Sequence, residues 1–211
     1  MAPVWLVGRA AFRRILILGF DLHEALRTLK PQKRWGTLER RADKDLPWVD
    51  DEPTIGGPLF LDTSVYLDVL QGRSPAAVDA LLRYRLCHHS AVCLSELTHA
   101  FGRLDPAHAS TKSVLKVIQQ TVDDVPAHRL HAPDATIWEQ AGIVAGLLFR
   151  LSKMPKGEGH ERRFINDALI FLQARQLGAS VLTGNIRDFD YLSQIFPTGR
   201  IILYRFPSPP F

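Results

Sequence analysis

Four acidic residues stand next to short apolar runs, at positions where a parallel sheet would bring them together. Asp62 directly follows the apolar residues 59–61, and Glu96 lies soon after a second run. Asp167 and Asp188 flank a third. Carboxylates gathered at one point repel each other unless a cation balances them, and oxygen-only ligands favour hard divalent ions such as Mg²⁺ or Mn²⁺. This chemistry is typical of a metal-dependent phosphodiesterase, although each acid alone also suits the N-terminus of a helix.

The elements that would position these acids alternate along the chain. After Gly56, Gly57 and Pro58, short apolar runs alternate with longer segments of helical periodicity, which predicts βαβ units and a parallel sheet. The carboxyl ends of such strands share one edge, where ligands bind. The predicted strands cover residues 58–62, 88–93, 128–131, 179–183 and 200–206. The predicted helices cover residues 63–71, 75–86, 94–103, 109–122, 134–151, 164–177 and 188–194, with a polar loop at 153–162.

A change of composition predicts a boundary between an N-terminal extension, residues 1–56, and a main domain, residues 57–211. Residues 1–44 hold ten Lys or Arg against four Asp or Glu. Residues 45–58 are acidic and rich in Pro and Gly, as expected of a linker or an extended strap.

The extension is predicted to contain one short amphipathic helix. Asp21 and Glu24 have the spacing of a capping box, and Pro31 ends the pattern. Its apolar residues are Leu22, Ala25, Leu26 and Leu29. Burying each leucine is worth roughly 1.5–3 kcal/mol, so we expect the helix to dock on the main domain or on a second subunit. The alternative is an arm whose basic residues contact RNA phosphates.

Composition limits the classes of protein to consider. With 46% hydrophobic and 23% charged residues the chain is typical of a soluble protein, and its net charge of +4 is compatible with a polyanionic partner. Cys87 and Cys93 lack metal-binding or redox spacing, so we expect buried thiols in a reducing cytoplasm. The apolar run "ILILGF" is too short to cross a bilayer, and no membrane association is expected.

Three blocks of the sequence resemble the signature blocks of PIN-domain ribonucleases, particularly the VapC-type toxins of toxin-antitoxin pairs. They are "LFLDTSVYLDVLQG", "HHSAVCLSELTHAF" and "FINDALIFLQARQLGASVLTGNIRDF", and the match runs from residue 58 to about residue 206. The resemblance implies that the metal-binding and catalytic acids are Asp62, Glu96 and Asp167, with Asp188 as the additional acid. It implies supporting roles for Thr63, Ser64, Thr183 and Asn185, the last at a position where many relatives carry an acid.

The resemblance also implies a fold, a reaction and partners. The fold is a PIN-like three-layer α/β/α sandwich around a central parallel sheet of about five strands. The reaction is Mg²⁺- or Mn²⁺-assisted hydrolysis of RNA phosphodiester bonds, and the partners are RNA and a cognate antitoxin, with a homodimer as a further possibility. The alternatives are a catalytically inactive PIN-like module that binds RNA or protein, and a nuclease acting on DNA.

Other polar residues receive simpler interpretations. Glu96 and His99 form half of a di-iron motif, which needs two such pairs, and His88 and His89 should point to opposite faces of a strand. Three acids are expected to be solvated charges: Asp68, Glu161 and Asp190. Four basic residues could hold substrate phosphates or form a solvated loop: Lys153, Lys156, Arg162 and Arg163.

Overall fold

A five-stranded sheet with all strands parallel forms the centre of the computed structural model, which describes residues 21–153 and 160–206. The strands lie side by side in the order β3-β2-β1-β4-β5. Their bounds are β1 Leu59–Leu61, β2 Cys87–Ser90, β3 Leu130–His131, β4 Ser180–Thr183 and β5 Arg200–Leu203. The predicted α/β/α sandwich with about five parallel strands is confirmed.

Eight α-helices of the described residues connect and cover these strands. Apolar residues recur at helical spacing in most of them, so each buries one face against the sheet or a neighbouring helix. The helices are α1 Leu22–Leu29, α2 Thr63–Leu70, α3 Ala76–Tyr84, α4 Ala91–Arg103, α5 Thr111–Asp123, α6 Ala135–Leu151, α7 His160–Gln176 and α8 Ile186–Ile195. In this part of the chain no helix combines the length and the apolar character needed to span a bilayer.

The order of the strands creates a switch point between β1 and β4. From β1 the chain builds β2 and β3 on one side, and then returns to place β4 and β5 on the other. Leu61 of β1 is paired with Leu182 of β4, so Asp62, directly after β1, lies beside Thr183, the last residue of β4. Ligands bind at such a point in open parallel sheets.

Two boundaries differ from the sequence predictions. Strand β2 ends at Ser90, whose hydroxyl accepts a hydrogen bond from the backbone N–H of Val92 at 3.1 Å and so caps α4. Glu96 therefore lies in the second turn of that helix rather than the first. Helix α7 begins at His160, inside the predicted loop at 153–162.

The described part of the extension contacts the main domain along its length. The side chain of Asp21 caps α1 by accepting from the backbone N–H of Glu24 at 3.1 Å, as predicted. Leu29 is buried, whereas Leu22 and Leu26 are 45% and 39% exposed, so only part of the predicted apolar face is covered. Residues 1–20, with three of the basic residues, lie outside the described residues.

Beyond α1, the extension becomes an extended strap over residues 38–56. Its backbone binds the ends of two distant elements: Leu38 N–H donates to Leu151 O at 2.8 Å, and Leu203 N–H donates to Pro47 O at 2.9 Å. The guanidinium of Arg85, in the main domain, forms an ion pair with Glu52 of the strap at 3.0 Å. These contacts agree with the expectation that the extension docks on the domain.

Candidate active site

Asp62 lies directly after β1 and is hydrogen-bonded on both sides of the switch point. It is the N-cap of α2 and is only 4% exposed. Its Oδ2 accepts hydrogen bonds from Ser64 Oγ at 2.6 Å and from Thr183 Oγ1 at 2.7 Å. The two predicted supporting hydroxyls therefore hold this carboxylate in place from β4 and α2.

The environment of Asp62 disfavours its charge. Burial raises the pKa of the carboxyl group above the ordinary value, and the nearby carboxylate of Glu96 raises it further. The hydrogen bonds from Ser64 and Thr183 act in the opposite direction. Because these donors are neutral, a bound cation would be the natural counter-charge.

A second group of site residues surrounds the amide of Asn185. Its Nδ2 lies 3.2 Å from Asp167 Oδ2 and 3.2 Å from Asp188 Oδ2, so one amide joins carboxylates from α7 and α8. Asp167 is 7% exposed and Asp188 is fully buried. The backbone N–H of Asn185 donates to Thr183 Oγ1 at 2.9 Å, which links this group to the Asp62 group.

Glu96 lies at the exposed side of the same region. One carboxylate oxygen accepts a hydrogen bond from the hydroxyl of Thr63, and the other accepts from Nδ2 of Asn166 at 2.7 Å. A pocket of about 550 Å³ opens here and is also lined by Leu67 and His99. Sequence reasoning missed Asn166, and its only signal was a polar side chain directly before Asp167.

The buried thiol of Cys93 indicates that these groups share one end of the sheet. Its Sγ donates to Leu61 O at 3.4 Å, directly below the end of β1. Burial raises the pKa of this thiol well above its ordinary value, and the carboxylates of Asp62, Glu96 and Asp167 add to the rise. Cys93, a buried filler as expected, therefore lies next to the end of β1 and within electrostatic range of all three acids.

The side chains in this region offer the types of ligand atom that hard divalent cations bind. They are carboxylate, hydroxyl and amide oxygens, which are the ligands of Mg²⁺ and Mn²⁺. Among the side chains that the structure describes, in residues 21–153 and 164–206, no three or more His, Cys, Asp or Glu form a metal-binding group. The Asn185 amide lies between Asp167 and Asp188, and its oxygen is a further ligand of the kind that these cations bind.

Two acids expected to be solvated are instead buried, so that prediction was wrong. Asp68 is 3% exposed and accepts from Tyr204 Oη at 2.8 Å. Asp190 is fully buried and forms an ion pair with Arg41 of the extension at 2.6 Å. Their partners come from distant parts of the chain, which local sequence does not reveal. The side chain of Glu161 lies outside the described residues.

The remaining polar residues have the following positions. His88 Nδ1 lies 3.0 Å from His131 Nε2, whereas His89 Nδ1 lies 2.7 Å from Tyr66 Oη, so His88 and His89 have separate partners as expected. Lys153 is exposed. The other three predicted basic residues have side chains outside the described residues: Lys156, Arg162 and Arg163.

Together, the sheet and these side chains define a parallel α/β protein with an acidic site at its switch point. No protein-family model matches the chain, and no curated protein matches it. Solved structures that include the following three are similar to it.

The VapBC2 structure from Rickettsia felis, bound to a DNA fragment from its promoter, is 15% identical over 70% of this chain and 98% of the other, with a TM-score of 0.45. VapBC-1 from nontypeable Haemophilus influenzae is 19% identical over 71% and 97%, with a TM-score of 0.46. FitAcB from Neisseria gonorrhoeae is 18% identical over 69% and 96%, with a TM-score of 0.49.

Proposed function

We propose that this protein is a Mg²⁺- or Mn²⁺-dependent endoribonuclease and the toxin of a toxin-antitoxin pair. The observation that carries the proposal is a chain of hydrogen bonds at the switch point of the sheet, which joins Asp62 through Thr183 and Asn185 to Asp167 and Asp188. Glu96 lies at the open side of this region. Asp62, a buried carboxylate held by the neutral hydroxyls of Ser64 and Thr183, is suited to a cation, and a site open on one side is suited to a polymer.

The acids would hold the metal, and the neutral residues would keep the acids in place. A bound divalent cation stabilises charge on phosphate oxygens and lowers the pKa of an attacking water. Ser64 and Thr183 fix Asp62, and Thr63 and Asn166 fix both oxygens of Glu96. Such support keeps the ligands within the narrow range of positions that catalysis requires.

Cleavage assays on acid variants test the proposal. We expect Asp62→Asn and Asp167→Asn each to lower RNA cleavage in Mn²⁺ at least about 100-fold, because each removes a charged ligand with little change of volume. EDTA should stop the wild-type reaction, and the products should carry 5′-phosphate and 3′-hydroxyl ends. Gel assays with a labelled RNA measure both.

The matched control is Asp124→Asn, an exposed acid just after α5 that should leave the rate unchanged. Equal cleavage by the parent and by both site variants would overturn the assignment of the site. A wild-type protein that binds RNA but never cuts it would favour the inactive binding module, for which the neutral Asn185 between two acids is the supporting observation.

An antitoxin is the partner that this function requires, and the cytoplasm is where both would act. We expect expression of the protein alone to slow bacterial growth, since free RNA cleavage damages the host. Co-expression with the neighbouring small gene should restore growth and yield a complex that co-purifies. Normal growth on expression of the wild-type protein, at levels where Asp62→Asn accumulates equally, would contradict the toxin assignment.

A further inference from the structure

A second pocket lies directly beside the acidic site. It has a volume of about 540 Å³, within the usual range for ligand pockets. Ser64, Gly184 and Asn185 form the side that borders the site. On the other side the pocket is lined by Arg73, Arg187 and Phe206.

A buried carboxylate holds Arg73 at this pocket. Its Nη2 lies 3.3 Å from Asp68 Oδ1, and Asp68 is fixed in turn by the hydroxyl of Tyr204 at 2.8 Å. The side chain of Arg73 is 52% exposed while that of Asp68 is 4% exposed. The negative charge is therefore inside the protein and the guanidinium faces the pocket.

Arg187 is arranged in the same way. Its Nε lies 3.2 Å from Asp188 Oδ1, and the side chains are 46% and 1% exposed. A guanidinium has five N–H donors, and these contacts occupy one N–H of each arginine. Both arginines are thus positioned to bind phosphate oxygens at the mouth of the site.

Phe206 adds an aromatic surface. It is 53% exposed, and the guanidinium carbon of Arg73 lies 4.7 Å from the centre of its ring. Exposed aromatic rings beside arginines are the surfaces on which bases of single-stranded nucleic acids stack. The burial of an exposed phenylalanine by a base would remove apolar surface from water.

We propose that this pocket is a nucleotide subsite for single-stranded RNA, in which Phe206 stacks on a base while Arg73 and Arg187 contact the phosphates next to the scissile bond. The proposal rests on the proposed ribonuclease function, because Ser64 and Asn185, which hold acids of the site, also line this pocket. A single strand is favoured over a duplex because stacking on an exposed ring requires an unpaired base.

The test measures binding without cleavage. All variants are made in the full chain carrying Asp62→Asn, and fluorescence anisotropy records binding of a labelled 12-nucleotide RNA of mixed sequence. We expect Phe206→Ala to weaken binding at least about 5-fold, the low end for loss of one stacked base, and Phe206→Trp to retain it. Arg73→Gln and Arg187→Gln should each reduce the salt slope of log K by up to about 0.7.

The controls are Phe101→Ala and Arg83→Gln, exposed residues of the same types on α4 and α3, away from the pocket. Thermal melting checks that each variant is folded. If the pocket variants have the same affinity and salt slope as these controls, the subsite is wrong. It is also wrong if the pocket variants lose as much affinity for a fully base-paired RNA as for the single strand.

The two proposals fail separately. If the wild-type protein cuts RNA in Mn²⁺ but the pocket variants bind as tightly as the controls, the subsite is wrong and the ribonuclease stands. If the wild-type protein never cuts RNA but the pocket variants lose affinity, the subsite stands as a binding site and the hydrolytic function is wrong.

Discussion

Asp62 and Asp190 are both buried acids, but the chain balances them in opposite ways. Asp190 accepts hydrogen bonds from the backbone and the guanidinium of Arg41 at 2.9 and 2.6 Å, so a cation from the extension neutralises it. Asp62 is held by the hydroxyls of Ser64 and Thr183, which carry no charge. The difference separates a structural acid, whose counter-charge is built into the protein, from an acid that remains suited to an added cation.

Binding of Mn²⁺ gives the largest expected difference between the two acids. A ligand that binds only the folded state, at 100 times its Kd, adds about 2.7 kcal/mol to the free energy of unfolding, or about 5–10 °C in Tm. We expect the Tm of the wild-type protein and of Asp190→Asn to rise by such an amount with Mn²⁺, and that of Asp62→Asn to stay level. Differential scanning fluorimetry measures this rise, and EDTA should reverse it. An equal rise in Asp62→Asn would place the Mn²⁺ elsewhere.

Without metal, we expect Asp190→Asn to lose more stability than Asp62→Asn, by a smaller amount than the effect of Mn²⁺. Asp190→Asn leaves Arg41 without its counter-charge, and breaking a buried pair costs about 3–5 kcal/mol. Because the side chain of Arg41 is 38% exposed, we expect a loss of about 2 kcal/mol, measured by urea unfolding. Asp62→Asn should cost less than about 1 kcal/mol at pH 7. A double-mutant cycle with Arg41→Gln measures the interaction between Arg41 and Asp190. If the losses of the two single variants simply add, the two residues do not form a stabilising ion pair.

The dependence of stability on pH sharpens the comparison further. Burial raises the pKa of Asp62 above its ordinary value of 3.8, so the folded state holds this proton more tightly than the unfolded state. The part of the stability that this proton contributes is therefore lost as the pH rises from about 3.8 through the folded pKa. The variant Asp62→Asn lacks this proton, so the same urea experiment should show it gaining stability relative to the wild-type protein between pH 4 and pH 7. A constant difference would mean that Asp62 keeps an ordinary pKa.

The site residues at the carboxyl ends of the strands could be predicted from the sequence. Asp62 and Thr183 come directly after apolar runs, and parallel strands bring such positions to one edge, as the register of β1 and β4 confirms. The fold was predictable for the same reason, because the alternation of strands and helices is a local pattern. The boundary at Ser90 was missed because its hydroxyl, and not a change in hydropathy, ends β2.

The long-range polar partners could not be predicted in this way. Arg41 and Asp190 are 149 positions apart, and neither lies in a pattern that indicates the other. Asn166 contacts Glu96 across a distance of 70 positions, and its role depends on how α7 packs against α4. Such contacts depend on how the elements pack, and hydrophobic periodicity does not indicate which polar side chains the packing brings together.

The contact of the strap with β5 also protects the sheet from other chains. A strand at the edge of a sheet has unpaired backbone groups on which a foreign strand can add and start aggregation. Strand β5 is such an edge, and the strap reaches it through the bridge between Trp48 and Leu203 and through Pro47. The opposite edge, β3, is only two residues long. Both edges of the sheet are therefore protected from pairing with a strand of another molecule.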